Sequence, residues 1–210
     1  MLKSLKFVFP NKNLAMIPHC TLFCLPFPVL FSMLFVGCSL GVSAQTTQHL
    51  FDIRAATAPD SSKAWLVLTD RIMEGCSKAE IANTDSTLLF VGNISNHNKA
   101  GLAQLISPRF DDSLLRYTGL VIHLRGDSSN FVFALHPDLL SAAAKHLEYR
   151  LIAPTDWQTL HIPFTKFYSA YFDVELVEKP LDLRTVHYFS IINAYQEGHF
   201  SLEIDNISLY

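Results

Sequence analysis

The sequence predicts an all-β protein, an antiparallel sandwich of the jelly-roll type, on three observations. Runs of five to eight residues alternate apolar and polar side chains between turn signals, the period of a half-buried strand. These runs follow one another without the helical repeats that a parallel βαβ sheet requires. Half of the 210 residues are hydrophobic and 17% are charged, which suits a packed core and excludes a disordered or coiled-coil chain.

The chain opens on a targeting segment. Lys3, Lys6 and Lys12 precede a stretch from Asn13 to Phe51 that holds no Asp, Glu, Lys or Arg, and Val42-Ser43-Ala44 forms a small-residue end. This is the three-part pattern of a secretory signal, cut after Ala44. Two alternatives stand beside it. Phe35-Val36-Gly37-Cys38 resembles a lipobox with Cys38 as the lipid attachment point, and Leu22 to Val42 is long enough for a membrane anchor, although Pro26 and Pro28 interrupt it. Each reading places the domain outside the cytoplasm, in the periplasm or cell envelope, with membrane association only through the leader or its lipid. Residues 45–63 read as a lead-in with one apolar piece at Phe51 to Ile53, and 64–210 as one domain.

Within that domain the strands come in order. Leu88 to Val91 and Leu102 to Ile106 lead. Leu120, Ile122 and Leu124 then face one way, with Val121, His123 and Arg125 facing the other. Gly126 to Asn130 supplies a turn, which predicts a hairpin with Phe131, Phe133 and Leu135 as the inward row of the return strand. Asp138 to Lys145, with Leu139, Leu140 and three alanines, is the one expected helix. Leu147 to Ile152, Thr159 to Ile162 and Tyr188 to Ile192 follow, and Phe200, Leu202 and Ile204 alternate against Ser201, Glu203 and Asp205 near the end. The total is about eight or nine strands.

Charge narrows the function. Sixteen basic residues against 19 acidic ones give −3, and loss of the leader leaves 13 against 19, or −6, without a basic cluster for nucleic acid. Cys20, Cys24 and Cys38 depart with the leader, so Cys76 remains alone and an intramolecular disulfide is excluded.

Five blocks in order resemble the complex I intermediate-associated protein 30 family. Trp65 to Ser77, with Asp70 and Gly75, is similar to its opening motif of a Trp, a following Asp and Val-Met-Gly-Gly-x-Ser. Phe90 to Ser95 resembles its F-x-G-x-[IL]-S strand, and Gly119 to Asp127, ending on Gly126-Asp127, its G-D step. Trp157 with Ile162-Pro163-Phe164-Thr165-Lys166-Phe167 resembles W-x…[IL]-P-F-x-x-F, and Gly198 to Ile207 the C-terminal block. The resemblance implies a galactose-binding-like sandwich, structural roles for Trp65, Asp70, Gly75, Ser77, Gly126, Asp127, Trp157, Pro163 and Phe164, and assembly work on respiratory complex I without catalysis. Glycines of the family pattern are replaced by Glu74, by Lys99 or Ala100, and by Ser128.

Site chemistry is sparse. The eight histidines after the leader show no zinc spacing, although His123 and His136 are expected on facing arms of one hairpin. Cys76 has no base near it in sequence, and Ser77 lacks the second glycine of a nucleophile elbow, so a turn hydrogen bond is expected of it. Glu203 and Asp205 read as a solvated strand face. Both tryptophans read as core, while Tyr168, Tyr171 and Phe172 are the candidates for ligand or partner contact. No catalytic residue, cofactor or metal is expected. The functional expectation is a binding domain for protein partners, complex I subunits among them. The alternative is a module for envelope or extracellular glycan, and a hydrolase ranks last.

Overall fold

Apolar side chains two residues apart must share one face of a strand, and the longer of the thirteen strands among the described residues bury such rows against one another. The computed structural model describes residues 48–51, 53, 64–83, 86–97, 101–137, 145–171, 174–175, 182–194 and 196–210. The leader, residues 138–144 of the expected helix, and Phe172 lie outside them.

One sheet has six strands: β1 (Gln48–His49), β3 (Lys78–Asn83), β4 (Leu88–Ile94), β6 (Gly119–Gly126), β9 (Gln158–Pro163) and β13 (Gly198–Leu209), in the order β3-β4-β13-β6-β9 with β1 beside the end of β13. The other has seven: β2 (Leu66–Thr69), β5 (Leu102–Ile106), β7 (Asn130–His136), β8 (His146–Ile152), β10 (Tyr168–Tyr171), β11 (Val174–Glu175) and β12 (Tyr188–Ala194), in the order β11-β10-β8-β7-β12-β5-β2. Every strand pairing among the described residues is antiparallel. Short 3-10 turns at Asp70–Met73, Leu114–Arg116, Phe164–Lys166 and Leu183–Thr185 complete the described elements.

The core lies between the sheets. Phe90, Leu120, Ile122, Leu124, Phe200, Leu202 and Ile204 enter it from the six-stranded side, and Leu105, Phe131, Phe133, Leu135, Phe189 and Ile191 from the seven-stranded side. Phe131 meets Phe200 edge-on at 5.9 Å, and Phe200 stacks on Phe90 at 4.9 Å, so one aromatic ring ties the two layers.

The expected hairpin does not form. β6 pairs with β9 and β13, whereas β7 pairs with β8 and β12, so residues 127–129 carry the chain from one sheet to the other. Alternation correctly places Leu120 to Leu124 and Phe131 to Leu135 on core faces. Both rows meet in one core from opposite layers, which satisfies the same pattern as a hairpin. His123 and His136 are therefore on different sheets.

The sandwich also takes in part of the lead-in. Gln48 and His49 pair with Leu209 and Ser208, and Phe51 is buried against Trp65, Phe110 and Phe189.

Candidate functional site

The opening motif folds around a buried carboxylate. Asp70 begins the 3-10 turn after β2 and is fully buried. Its Oδ1 accepts the Ser77 amide at 3.0 Å, and its Oδ2 accepts the Ser77 hydroxyl at 2.6 Å and the amides of Gly101 and Leu102 at 2.8 and 3.3 Å. Burial alone would raise its pKa, but the hydroxyl and these amides outweigh it and hold the carboxyl below its ordinary value. Gly75 is required because a Cβ there would stand 2.2 Å from Asp70 Cγ. Asp70 and Ser77 thus join the motif loop to the start of β5. The exposed Cys76 Sγ lies 3.6 Å from His97 Nδ1, a base that sequence distance conceals.

The seven-stranded sheet has an outer face, opposite the core, carrying residues of even number from β7, β8, β10 and β12. Part of it is buried and polar. Glu148, 1% exposed, pairs with His146 at 2.8 Å, accepts the Tyr168 hydroxyl at 3.0 Å and lies 3.5 Å from Arg150. Burial would raise the Glu148 pKa, yet His146, Tyr168 and Arg150 bring it below the usual carboxylate range. Tyr168 is pushed up to about 12, first by burial and then by Glu148. The His136 ring stacks 4.9 Å from His146, its Nε2 is 2.7 Å from Ser190 Oγ, and Gln104 donates to the same hydroxyl at 3.1 Å. Toward Asn130 the face becomes apolar and opens into a depression of about 430 Å³ lined by Val132, Ile152, Ile192 and Ala194, with Asn130 and Arg150. Ile152 is 66% exposed.

The outer face of the six-stranded sheet is ionic. Arg125 bonds Glu203 at 2.7 Å, His123 bonds Asp205 at 2.9 Å, and Thr87 donates to Glu203 at 2.7 Å. Glu203 and Asp205 are therefore paired across strands rather than merely solvated. Trp157 is not core: its half-buried indole lies 4.9 Å from both the Arg125 guanidinium and the His123 ring. Sequence reasoning assigned it to the core by size, although its polar setting, Pro154-Thr155-Asp156-Trp157-Gln158, carries the opposite signal. Beside it, Arg125, Gly126, Asp127, Thr155, Ser201 and Glu203 line a polar depression of about 290 Å³.

The other motif residues hold the frame. Trp65 is buried edge-on to Phe51 at 5.1 Å. Pro163 ends β9, and Phe164 and Phe167 bury into the core around the following turn. Gly126 admits a close approach, since a Cβ would stand 2.5 Å from Ala153 Cβ. Asp127 Oδ1 accepts the Ser129 amide at 3.1 Å, and Ser128 adopts φ 69°, the left-handed conformation for which the family pattern uses glycine. Tyr171 supplies backbone pairing with Val174. No set of three His, Cys, Asp or Glu side chains suited to a metal ion assembles among the described residues.

Two antiparallel sheets packed face to face, with shallow depressions on both outer faces, define an antiparallel β-sandwich. The model of the family Complex I intermediate-associated protein 30 (CIA30) matches residues 52–204, and the chain belongs to that family. Among solved structures it is similar to a Family 11 carbohydrate-binding module from Clostridium thermocellum in complex with a beta-1,3-1,4-mixed-linked tetrasaccharide. That likeness has 15% identity and a TM-score of 0.57, and covers 80% of this chain and 96% of that one. The same module of the cellulosomal cellulase Lic26A-Cel5E matches at 16% identity and a TM-score of 0.58, covering 80% of this chain and 95% of that chain. The agarase AgWH50C matches at 13% identity and a TM-score of 0.53 over 79% of this chain and 24% of that one. These identities speak to the fold alone. No curated protein sequence matches the chain.

Proposed function

We propose that this protein is a non-catalytic binding domain that works outside the cytoplasm and docks a protein partner on the outer face of its seven-stranded sheet, as an aid to assembling a membrane protein complex. The observation that carries the reading is the apolar depression at Val132, Ile152, Ile192 and Ala194, where an aliphatic side chain stands 66% exposed beside an exposed guanidinium. Water leaves such a surface favourably, at about 25 cal/mol per Å² of apolar area, and Arg150 would receive a partner carboxylate at its margin. The family's name supports a partner among respiratory complex I subunits. The printed description of one structural relative names a mixed-linked tetrasaccharide, which makes glycan the competing ligand.

The test uses the tagged full-length protein in its own cells with a photocrosslinking residue at position 152, and at position 159 on the other sheet as the control. Crosslinks formed from position 152 alone, to subunits of one membrane complex, support docking on this face. Identical products from both positions, or none, overturn it.

A further inference from the structure

We propose that the open edge of β2 is a second interaction surface, which takes one extended, acidic segment of a partner protein as an added strand. It shares no residue with the depression at Val132 and Ile192, so it goes beyond the docking reading and does not depend on it.

The edge is unguarded. β2 ends the seven-stranded sheet and pairs with β5 alone, in antiparallel register from Leu66 opposite Ile106 to Thr69 opposite Ala103. In such a ladder alternate residues spend their N–H and C=O on the neighbour, and the others turn theirs outward. Part of the β2 backbone therefore presents donors and acceptors to the outside, and among the described residues no backbone group bonds them. Sheet edges are ordinarily blunted by charged side chains or proline. β3, the edge of the facing sheet, follows that rule with Lys78 and Glu80, whereas Leu66-Val67-Leu68-Thr69 carries neither device. Two of the four large apolar side chains that stand exposed among the described residues belong to this strand and the turn after it, Leu66 at 42% and Met73 at 55%.

Beside the edge lies a seat for the side chains of an added strand. Val67 and Thr69 of β2, Arg71 of the turn, and Ser77, Lys78 and Ala79 line a depression of about 430 Å³ to which both sheets contribute. Val67 and Ala79 pack against the core and make part of its lining apolar. A strand sends successive side chains to opposite faces, so every second side chain of the guest enters this depression and the rest lie beside Leu66 and Leu68.

Charge names the occupant. Among the described residues Arg71 and Lys78 have no side-chain hydrogen bond or ion pair, and no carboxylate lines the depression. Asp70, their neighbour in sequence, is buried with its oxygens held by Ser77, Gly101 and Leu102. The chain as a whole is acidic, with 19 Asp and Glu against 16 Lys and Arg, so this place runs against its surroundings and attracts a carboxylate. A guest that alternates acidic with apolar residues satisfies both rows, acids toward Arg71 and Lys78 and apolar groups beside Leu66 and Leu68. A second copy added through its own β2 brings no carboxylate and leaves both cations without a partner.

The experiment is a proton–nitrogen NMR titration of the ¹⁵N-labelled, naturally processed protein with a capped hexapeptide of alternating glutamate and valine. The controls are the lysine–valine counterpart and the glutamate–valine peptide methylated on every backbone nitrogen, which keeps the charge and loses the ladder donors. The acidic peptide is expected to move the amides of Leu66 to Thr69, Lys78 and Ala79 saturably, with Kd on the order of 0.1–1 mM at low salt, while those of Val132 and Ile152 stay still. Both controls should bind at least tenfold more weakly, and so should the acidic peptide to the exposed-site double variant Arg71→Glu, Lys78→Glu, whose unmoved core amides show that it is folded. No saturable shift up to about 5 mM overturns the proposal. So does an equal response to either control, a response that survives the double variant, or one centred on Val132 and Ile152. The same shifts on raising the protein concentration alone make a second copy the occupant and overturn it too.

Discussion

Asp70 shows how one side chain explains a motif that spans thirteen residues of sequence. The carboxylate accepts four bonds, from Ser77 twice and from Gly101 and Leu102, so it both shapes the loop and ties it to β5. Asp70→Asn turns an amide group toward these donors and should cost about 2–4 kcal/mol in urea denaturation. Because the folded pKa is depressed, the stabilisation is fully present above the ordinary carboxylate value near 3.9 and is lost as the pH falls below it toward the lower folded value. Gly75→Ala should be similarly damaging, at about 2 kcal/mol or more, through the collision with Asp70. Ser128 makes the opposite case. It already holds φ 69° with a side chain, so Ser128→Gly should raise stability by up to about 1 kcal/mol, read as a higher Tm. The glycine in the family pattern therefore sets a turn here, and its replacement is a tolerable strain.

At the level of strands, alternation was legible wherever one face meets the core and the other meets water, as in Leu120 to Leu124 and Phe200 to Ile204. It fixes which face a residue takes, not which strand lies beside it, and for that reason the crossing of residues 127–129 between sheets read as a hairpin. β7 and β8 hide a second feature, because part of their outer face is buried too. His136, His146 and Glu148 look like solvent positions in sequence and are 4%, 4% and 1% exposed. Of the candidate contacts, Tyr168 does lie on this face, but its hydroxyl is committed to Glu148. Trp157 escaped because a large aromatic residue has core as its commonest fate. The buried ladder makes a measurable statement. Burial, and then the His146 ring, push the His136 pKa down to about 3, with Glu148 opposing them. The unfolded chain takes up that proton near 6.5, so between 6.5 and 3 the unfolded state binds more protons. Stability present above about pH 6.5 should decline as the pH falls through this window, by on the order of 2–4 kcal/mol in pH-dependent urea denaturation. The slope should flatten in His136→Gln, which keeps a partner for Ser190.

At the scale of the whole chain, the expected export signal ends only a few residues of sequence before the first described strand. β1 starts at Gln48, Leu50 donates to the Ile207 carbonyl at 3.0 Å, and Phe51 fills the core beside Trp65. Phe51→Ala should therefore cost about 3–5 kcal/mol, a core-sized loss for a residue that sequence placed in a lead-in. The same short spacing in sequence bears on how an exported domain would be presented. Cleavage after Ala44 would leave three residues before β1 and release the domain from the membrane. Lipidation at Cys38 would instead leave nine, Ser39 to Thr47, which span about 30 Å when extended and would keep both outer faces near the bilayer. The small-residue end at Val42-Ser43-Ala44 and the Phe35 that stands where a lipobox usually has its leading Leu favour the first outcome. Mass spectrometry of the protein recovered from its own cells should give an N-terminus at Gln45, in the soluble envelope fraction, and Cys38→Ala should leave both unchanged. A diacylated N-terminus at Cys38, lost from the membrane fraction on Cys38→Ala, would reverse this. Docking at Ile152 would then take place on a tethered domain, at the high effective concentration that a short tether imposes on a membrane partner.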